Sequence, residues 1–276
     1  MTAAAARAAS RKPLLMGVVN ITPDSFSDGG KWSTPEKAVN HVERLVSEGA
    51  DIVDLGAEST RPGATATQLN EEWSRLEPVL KLLSQRSFPV DISIDTRKPE
   101  IMMRAAEYGA TWFNDVAGHA DIGVLKNLLS YPGMQYIAMH MPMTPDIMQK
   151  HPLPPRAAVT AVDSFFRSRC DVATAAGFAL ERIWLDPGIG FGKTDAANVQ
   201  LMQEVGPWSK KYQVMVGVSR KSLIGRTLGI NTPEERDAPS KMLEFGLIML
   251  GAKLVRTHTV APLRHLVNLL AEADRG

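Results

Sequence analysis

The sequence predicts an α/β fold: a single (β/α)8 TIM barrel with parallel strands. Three observations favour it. Short apolar, β-branched runs recur along the whole chain, helix-length amphipathic patterns separate them, and the two alternate eight times. Alternation of strand and helix predicts a parallel sheet, and eight units predict that the sheet closes on itself.

The apolar runs have the length of strands, and their apolarity is continuous rather than alternating. Continuous apolarity is typical of strands that are buried on both faces. The eight predicted strands are LLMGVVN (14–20), DIVDLG (51–56), DISIDT (91–96), TWFND (111–115), QYIAMH (135–140), RIWLDPG (182–188), VMVGVSR (214–220) and KLVRTH (253–258).

Amphipathic patterns of helix length fill the stretches between these runs. The first, over 33–49, opens with a candidate capping residue, has Pro35 near its start and ends on Gly49. The competing fold is an open doubly wound sheet, which would require a glycine-rich turn after the first strand that NITPDSFSDGG (20–30) does not match. Further helices are predicted over 70–84, 96–109, 121–130, 156–177, 195–209, 236–250 and 261–273.

Length and charge restrict the class of protein. The 276 residues suit one barrel domain, predicted over 13–276, after a flexible N-terminal tail over 1–12. The formal net charge of +1 predicts no nucleic-acid partner and no anionic membrane surface, so an anionic ligand must be met by a local site. No apolar run approaches the roughly 20 residues of a membrane span.

The single cysteine, Cys170, excludes an internal disulfide and a cysteine-rich metal site. The tail is alanine-rich and basic, which is typical of a frayed terminus, with a transit peptide as the alternative. We see no secretory apolar segment and therefore expect the cytoplasm.

Every predicted strand ends in a polar or charged residue, whereas the strand starts are far less uniform. All strand carboxyl ends of a barrel open on one face, where its chemistry occurs, so these residues should converge on one mouth. The approach of a strand to solvent is enough to explain one polar strand end. Eight polar strand ends that combine acids, amides and bases favour a catalytic site. They are Asn20, Asp54, Asp95 with Thr96, Asn114 with Asp115, His140, Asp186, Ser219 with Arg220 and Lys221, and Arg256 with His258.

The acids and amide predict a subsite for a flat heterocycle. Asp95, Asn114 and Asp186 come from different strands, and a carboxylate in a partly dry pocket needs donors. The two parallel N–H groups of an amino-pyrimidinone edge would supply them, while Lys221 could meet a carbonyl or ring nitrogen. A pterin or a guanine-like ring fits this polarity. A structural ion pair or a helix cap is the alternative for any single acid, above all for Asp95.

The last strand predicts a second, basic subsite. Arg256 and His258 lie two residues apart, so strand alternation turns both to one side. Barrels often hold phosphate at the seventh and eighth loops, and the SRKS segment (219–222) adds charge there. The alternatives are a snorkelling surface arginine and a structural histidine.

Two loops rich in Gly, Pro, Ser, Thr and Asp follow the first two strands, NITPDSFSDGG (20–30) and GAESTRPGATA (56–66). Loops of this composition at a barrel mouth are candidate lids that order around a substrate, with ordinary connections as the alternative. DPGIGFGKT (186–194) lacks the spacing of a Walker loop and is a weak nucleotide signal.

Together these segments resemble the dihydropteroate synthases of folate biosynthesis. The resemblance spans residues 15 to about 260 in the family's order, and NITPDSFSDGG and ESTRPGA are its most specific parts. The resembling stretches are MGVVNITPDSFSDGG, DIVDLGAESTRPGA, ISIDTRKP, NDV, LDPGIGFGK, GVSRKSLIG and VRTH.

The resemblance implies transfer of a 6-hydroxymethyl-dihydropterin group from its diphosphate to p-aminobenzoate. Diphosphate leaves first, and the amine then captures the pterin cation. It also implies Mg²⁺ as cofactor and a homodimer.

The residues implied to hold the pterin are Asp95, Asn114, Asp186 and Lys221. Those implied for the diphosphate are Asn20, Arg256 and His258, with Asn20 also touching Mg²⁺. Those implied to contact p-aminobenzoate or order the loops around it are Thr60, Arg61, Pro62, Ser222 and Phe191. The catalytic set is then Asp95, Lys221, Arg256 and His258.

Three positions depart from the family's pattern. The family commonly reads R-x-H-D-V at the last strand, whereas Thr259 replaces the acid here and leaves His258 without one orienting partner. HMPMTP (140–145) replaces a glycine-containing turn, so the shape of that loop is not predicted. The segment 238–250 is less rich in alanine and glycine than usual. These departures raise the alternative of a divergent member, such as a sulfonamide-insensitive one.

Two other functions compete with the synthase. A pterin-binding methyltransferase domain would share the barrel and the ring subsite but needs no diphosphate pocket, which the SRKS segment and the Arg256/His258 pair argue against. A paralogue that binds pterin without turnover is the non-enzymatic alternative, and the altered end of the last strand is the observation that suggests it.

Overall fold

Eight strands form one parallel sheet in a computed structural model of the chain, which describes residues 12–22, 35–59, 64, 66–86, 88–118 and 120–273. All eight predicted strands are present, most of them one to five residues shorter than the apolar runs. They are β1 (Leu14–Asn20), β2 (Ile52–Gly56), β3 (Asp91–Thr96), β4 (Trp112–Asp115), β5 (Gln135–Met139), β6 (Ile183–Asp186), β7 (Met215–Val216) and β8 (Leu254–Thr257).

The sheet closes into a barrel. The strands pair in the order β6-β5-β4-β3-β2-β1-β8-β7, and every pair is parallel. A parallel bridge between Leu185 and Val214 joins the two ends of that order, and the Leu185 N–H donates to the Gln213 carbonyl at 2.9 Å. The predicted α/β class and the single (β/α)8 barrel are confirmed.

Helices follow the strands as the amphipathic patterns predict. Side-chain caps begin two of them, since Asp121 accepts the Val124 N–H and Thr194 accepts the Ala197 N–H. The ten helices of the described residues are α1 (Pro35–Ser47), α2 (Leu69–Ser84), α3 (Pro99–Ala106), α4 (Ile122–Leu128), α5 (Pro155–Ala176), α6 (Asp195–Gln203), α7 (Val205–Ser209), α8 (Ser222–Leu228), α9 (Asp237–Met249) and α10 (Ala261–Ala273).

Two helical predictions need correction, and one helix was not predicted. The helix expected over 96–109 begins at Pro99, because Thr96 still belongs to β3 and proline suits a first helical position. The pattern over 195–209 is divided between α6 and α7. Helix α8 was not predicted, because its seven residues are too few to display a helical period. No described helix is long and apolar enough to cross a membrane.

An apolar floor fills the lower half of the barrel. The rings of Trp112 and Trp184 lie 5.3 Å apart at their centroids, and both residues are almost fully buried. The opposite strand faces pack outward against the helices in a larger core. The floor consists of Leu14, Met16, Ile52, Trp112, Ile137, Trp184, Met215 and Leu254.

Candidate active site

A cavity opens at the carboxyl ends of the strands, above the floor. It measures about 470 Å³ including its open mouth, within the usual range for small-molecule sites. Seven residues assigned to the site from sequence line it: Asp95, Asn114, Asp186, Phe191, Lys221, Arg256 and His258. Its other lining residues are Val18, Val116, Met139, Met215, Gly217 and Ser219.

Strand alternation explains why these side chains face the cavity. Successive side chains of a strand point to opposite faces, so the residue two positions beyond a floor residue also points inward. Except for Asp54, every one of those positions lines the cavity. The positions are Val18, Asp54, Asn114, Met139, Asp186, Gly217 and Arg256.

The same alternation turns other strand-end residues away from the cavity. Thr96 donates to Glu72 of α2 at 2.5 Å, and Asp115 accepts the Tyr136 hydroxyl at 2.9 Å. The His140 ring packs edge-on against Phe165, with centroids 5.3 Å apart. The expectation that every strand-end residue converges on the mouth is therefore wrong for these three.

One guanidinium holds two carboxylates together on the cavity wall. Arg256 Nε donates to Asp54 Oδ2 at 2.6 Å, and Arg256 Nη2 donates to Asp95 Oδ2 at 2.7 Å. Asn114 Nδ2 also donates to Asp54 Oδ2, at 3.0 Å. The arginine assigned to the diphosphate thus also pairs with Asp95, which is assigned to the ring, and with Asp54.

Hydrogen-bonding capacity is left over in this network. Asp95 Oδ1 and Asp54 Oδ1 are buried and accept no hydrogen bond from the described residues. Burial raises the pKa of Asp95 above its ordinary value, Arg256 opposes the rise and the Asp54 charge adds to it. Because Asp95 lines the cavity, a ligand N–H group would satisfy its open acceptor.

Asp186 and Lys221 form the other polar wall. Asp186 Oδ1 accepts the Gly188 N–H at 2.7 Å, and burial raises the pKa of Asp186 while Lys221 opposes the rise. Lys221 Nζ donates to the Ile189 carbonyl and lies 4.3 Å from the centre of the Phe191 ring. Burial lowers the pKa of Lys221 to about 8, against the attraction of Asp186. A partly desolvated ammonium group thus stands beside an aromatic face.

A second lysine holds the loops behind this wall. Lys193 Nζ is buried and donates to the carbonyls of His140, Gly188 and Phe191 at 3.1, 2.8 and 2.8 Å. These carbonyls belong to the loops after β5 and β6, so one ammonium group ties both loops together. Burial lowers the pKa of Lys193 to about 7, while Asp186 raises it.

His258 has a hydroxyl partner that the sequence did not indicate. Its Nδ1 lies 3.0 Å from Ser219 Oγ, and its backbone N–H donates to the same oxygen at 3.2 Å. The orienting partner that Thr259 cannot supply therefore comes from the neighbouring loop. Burial, with Arg256 and Arg220 acting in the same direction, lowers the pKa of His258 to about 3.

Arg220 shapes the turn that carries Ser219 and Lys221. Its φ of 57° is the one positive value outside glycine among the described residues. Its guanidinium donates two hydrogen bonds to Asp237 of α9, at 2.7 and 2.8 Å. Its backbone N–H donates to Ser240 Oγ at 3.0 Å. These contacts hold a strained backbone that turns its two neighbours to the cavity.

The remaining predicted residues lie outside the lining. Asn20 ends β1, half-buried, beside the strand that carries Arg256. Ser222 is exposed at the start of α8. Thr60, Arg61 and Pro62, most of the loop 20–30 and the tail up to residue 11 fall outside the described residues. Within the described ranges, no three His, Cys, Asp or Glu side chains form a metal-binding group.

Asp54 and Ser219 were predicted at the mouth without individual partners, and Lys193 was given no role. The part played by Asp54 could have been predicted, because it lies two residues after Ile52 on the strand that pairs with the one carrying Asp95. Ser219 and Lys193 carry no such signal, because their partners come from other loops.

The pKa of His258 predicts a pH-dependent stability. Its folded pKa lies below the unfolded value of 6.5, so the unfolded chain binds the proton more readily between about pH 6.5 and pH 3. The free energy of unfolding should therefore fall as the pH is lowered through this range. Urea unfolding at pH 7 and pH 5 should show a smaller fall for His258→Gln. An equal fall in both proteins would contradict a depressed pKa.

The site combines features of one class of protein. Paired acids with open acceptor oxygens lie with an amide, a lysine and an aromatic ring on the functional face of a parallel barrel. A family model described as pterin binding enzyme matches residues 16–258, nearly the whole described barrel. Fold and site thus define a pterin-binding barrel enzyme.

Individual relatives narrow that class. The chain is 41% identical to the dihydropteroate synthase of Neisseria meningitidis serogroup C, over 90% of this chain and 88% of that protein. It is 38% identical to the one from Escherichia coli K12, over 90% and 87%. The solved Xanthomonas albilineans dihydropteroate synthase with 4-aminobenzoic acid superposes with a TM-score of 0.85 at 39% identity, covering 95% and 93% of the two chains. The chain belongs to the dihydropteroate synthase family.

Proposed function

We propose that the chain condenses 6-hydroxymethyl-7,8-dihydropterin diphosphate with p-aminobenzoate, giving 7,8-dihydropteroate and diphosphate. It is thus a transferase of folate biosynthesis. The observation that carries the proposal is the cavity that gathers Asp95, Asn114, Asp186 and Lys221 with the basic pair of β8. Related structures support the same function. The Xanthomonas albilineans structure holds 4-aminobenzoic acid. The Yersinia pestis enzyme, whose structure holds a sulfonamide drug, superposes with a TM-score of 0.87 at 35% identity, covering 96% of this chain and 95% of that one.

The pterin ring would lie between the two polar walls. The open Oδ1 of Asp95 would accept an N–H group of the ring, and Asp186 would accept another from the opposite side. Lys221 would donate to a ring carbonyl or nitrogen. These acids also stabilise positive charge on the ring, which is what a departing diphosphate leaves behind.

The reaction would begin at the bond between the pterin methylene carbon and the diphosphate oxygen. That bond breaks, and the diphosphate leaves with the electron pair. The amine nitrogen of p-aminobenzoate then bonds to the methylene cation, and the resulting ammonium loses its proton to water. Arg256 and His258 would bind the departing oxygens, so hydrogen-bond donors would already face the diphosphate oxygens on which negative charge develops. No nucleophilic side chain is needed.

Mg²⁺ is the proposed cofactor, with Asn20 as its protein ligand. An amide oxygen is a hard donor of the kind Mg²⁺ prefers, and this ion usually keeps waters and takes other ligands from substrate phosphates. Asn20 is the last residue of β1, which pairs with β8 and ends at the same mouth of the barrel, so its amide could supply one ligand to an ion held by the substrate diphosphate. Bound Mg²⁺ would neutralise charge on the leaving diphosphate.

Diphosphate release tests the proposed function. We expect release from the pterin diphosphate to require both p-aminobenzoate and Mg²⁺, measured with a coupled pyrophosphate assay. Pterin binding without turnover in calorimetry would instead support the non-catalytic paralogue. Corrinoid-dependent methyl transfer would support the methyltransferase reading. Either outcome would overturn the synthase assignment.

We also propose a cytoplasmic homodimer, with α9 as the contact. Met242 and Met249 are 78% and 60% exposed and lie seven residues apart, on one face of that helix. An apolar helix face of this kind usually meets another protein surface. Sedimentation should show a dimer for the wild type and a monomer for Met242→Lys with Met249→Lys. A monomeric wild type would contradict the proposal.

A further inference from the structure

Ser219 and His258 meet where two neighbouring strands end. Ser219 follows β7, His258 follows β8, and both line the cavity. Two contacts join them: the His258 backbone N–H donates to Ser219 Oγ at 3.2 Å, and the ring Nδ1 lies 3.0 Å from the same oxygen. The serine therefore touches both the backbone and one ring nitrogen of the histidine.

The hydrogen-bonding capacity of the hydroxyl decides which ring nitrogen carries the proton. A serine hydroxyl has one proton to donate and two lone pairs that accept. The backbone N–H already donates to one lone pair. If Nδ1 also donated, the hydroxyl proton would have no acceptor among the described residues. If the hydroxyl donates to Nδ1, all three groups are satisfied, and the ring proton lies on Nε2.

The surroundings of the ring oppose a second proton. The charged groups that face it are Arg256 on β8, Arg220 after β7, and Lys241 and Asp237 on α9. Three cations and one acid disfavour a further positive charge, and burial acts in the same direction. A neutral imidazole can still bind an anion, because its N–H group is a directed donor.

We propose that Ser219 is a positioning residue that holds His258 as a neutral imidazole with its proton on Nε2, from which the ring donates to a diphosphate oxygen. The inference deepens the proposed function and rests on its assignment of the diphosphate to the basic pair. The anion subsite then consists of one permanent cation, Arg256, and one neutral donor.

Nitrogen NMR of histidine-labelled protein tests the tautomer directly. The chain has six histidines, and the His258 signals are those missing from His258→Gln. We expect a protonated Nε2 and a bare Nδ1, unchanged between pH 8 and pH 5. In Ser219→Ala the signals should shift toward a mixture of tautomers. A proton on Nδ1, or a doubly protonated ring at pH 7, would overturn the proposal.

Two replacements of His258 separate a neutral donor from a cation. The amide N–H of glutamine lies close to the position of Nε2, whereas that of asparagine corresponds to Nδ1. Calorimetry with inorganic pyrophosphate should give an affinity within about threefold of wild type for His258→Gln and roughly 10- to 100-fold lower for His258→Asn. Equal losses in both variants would contradict the neutral donor.

Variants of Ser219 complete the test. Ser219→Ala should weaken pyrophosphate binding roughly fivefold, the worth of one oriented hydrogen bond, and Ser219→Thr should restore it because the hydroxyl remains. Loss of binding in Ser219→Thr with an intact melting temperature would overturn the positioning role. Failure of the wild type to bind pyrophosphate would instead contradict the proposed function, and the NMR result would still decide the tautomer.

Discussion

Asp95→Asn should lower kcat/KM for the pterin diphosphate by about 100- to 1,000-fold without lowering stability. Asp95 offers the cavity an open Oδ1, and an amide would present N–H groups to the N–H groups of the ring if it turned that way. Burial raises the pKa of Asp95 although Arg256 opposes the rise. The side-chain oxygen of the new asparagine can still accept from Arg256, which also keeps Asp54, so the free energy of unfolding should change by less than about 1 kcal/mol.

The pyrophosphate-release assay and urea unfolding together check this prediction. Asp195→Asn is the matched control, because its carboxylate pairs with Arg226 on the surface, where both side chains are about half exposed. The control should keep its kcat/KM. Activity close to wild type in Asp95→Asn would show that Asp95 does not bind the ring. A loss of stability that accompanies the loss of activity would indicate damage to the fold.

Lys98→Met should destabilise the protein by roughly 3 kcal/mol. Lys98 Nζ joins two buried acids, Glu72 at 2.5 Å and Glu58 at 3.1 Å. The Glu72 and Glu58 side chains are 0% and 1% exposed, so water cannot replace the lost partner. Glu58 would keep Arg97 at 2.6 Å, but Glu72 would keep only its contact with Thr96 among the described residues.

Urea unfolding measures this effect, and Arg86→Met is its control. Arg86 pairs with Glu43 at 2.5 Å, but both side chains are nearly half exposed, so the control should cost less than about 1 kcal/mol. Adding Glu72→Gln to Lys98→Met should recover part of the stability, because no buried charge is then left without a partner. An equal loss of unfolding free energy in Lys98→Met and Arg86→Met would show that burial does not strengthen the Lys98 network.

The barrel and most of the cavity lining could be predicted because both follow from short periods. Eight apolar runs mark the strands, and alternation within each strand separates Asp95 from Thr96 and Asn114 from Asp115. The prediction that all strand ends converge on the mouth places these neighbours together, whereas the observed register divides them between the cavity and the helix layer. Applying the period of two to each strand end would have made the same division.

Contacts between distant loops could not be predicted. Lys193 reaches the carbonyl of His140, 53 residues away, and Ser219 reaches His258, 39 residues away. Such contacts depend on how loops of irregular length fold over the barrel, which no periodic pattern encodes. The departure at Thr259 illustrates this limit, because the partner of His258 comes from the loop after another strand.

The two tryptophans of the floor have a consequence for the order of events. Trp112 and Trp184 seal the barrel from below, so both reactants and both products must use the same entrance. Under the proposed function the pterin diphosphate, which would bind against the polar walls just above the floor, would enter before p-aminobenzoate. The joined product would leave by the same opening, with its pterin ring last.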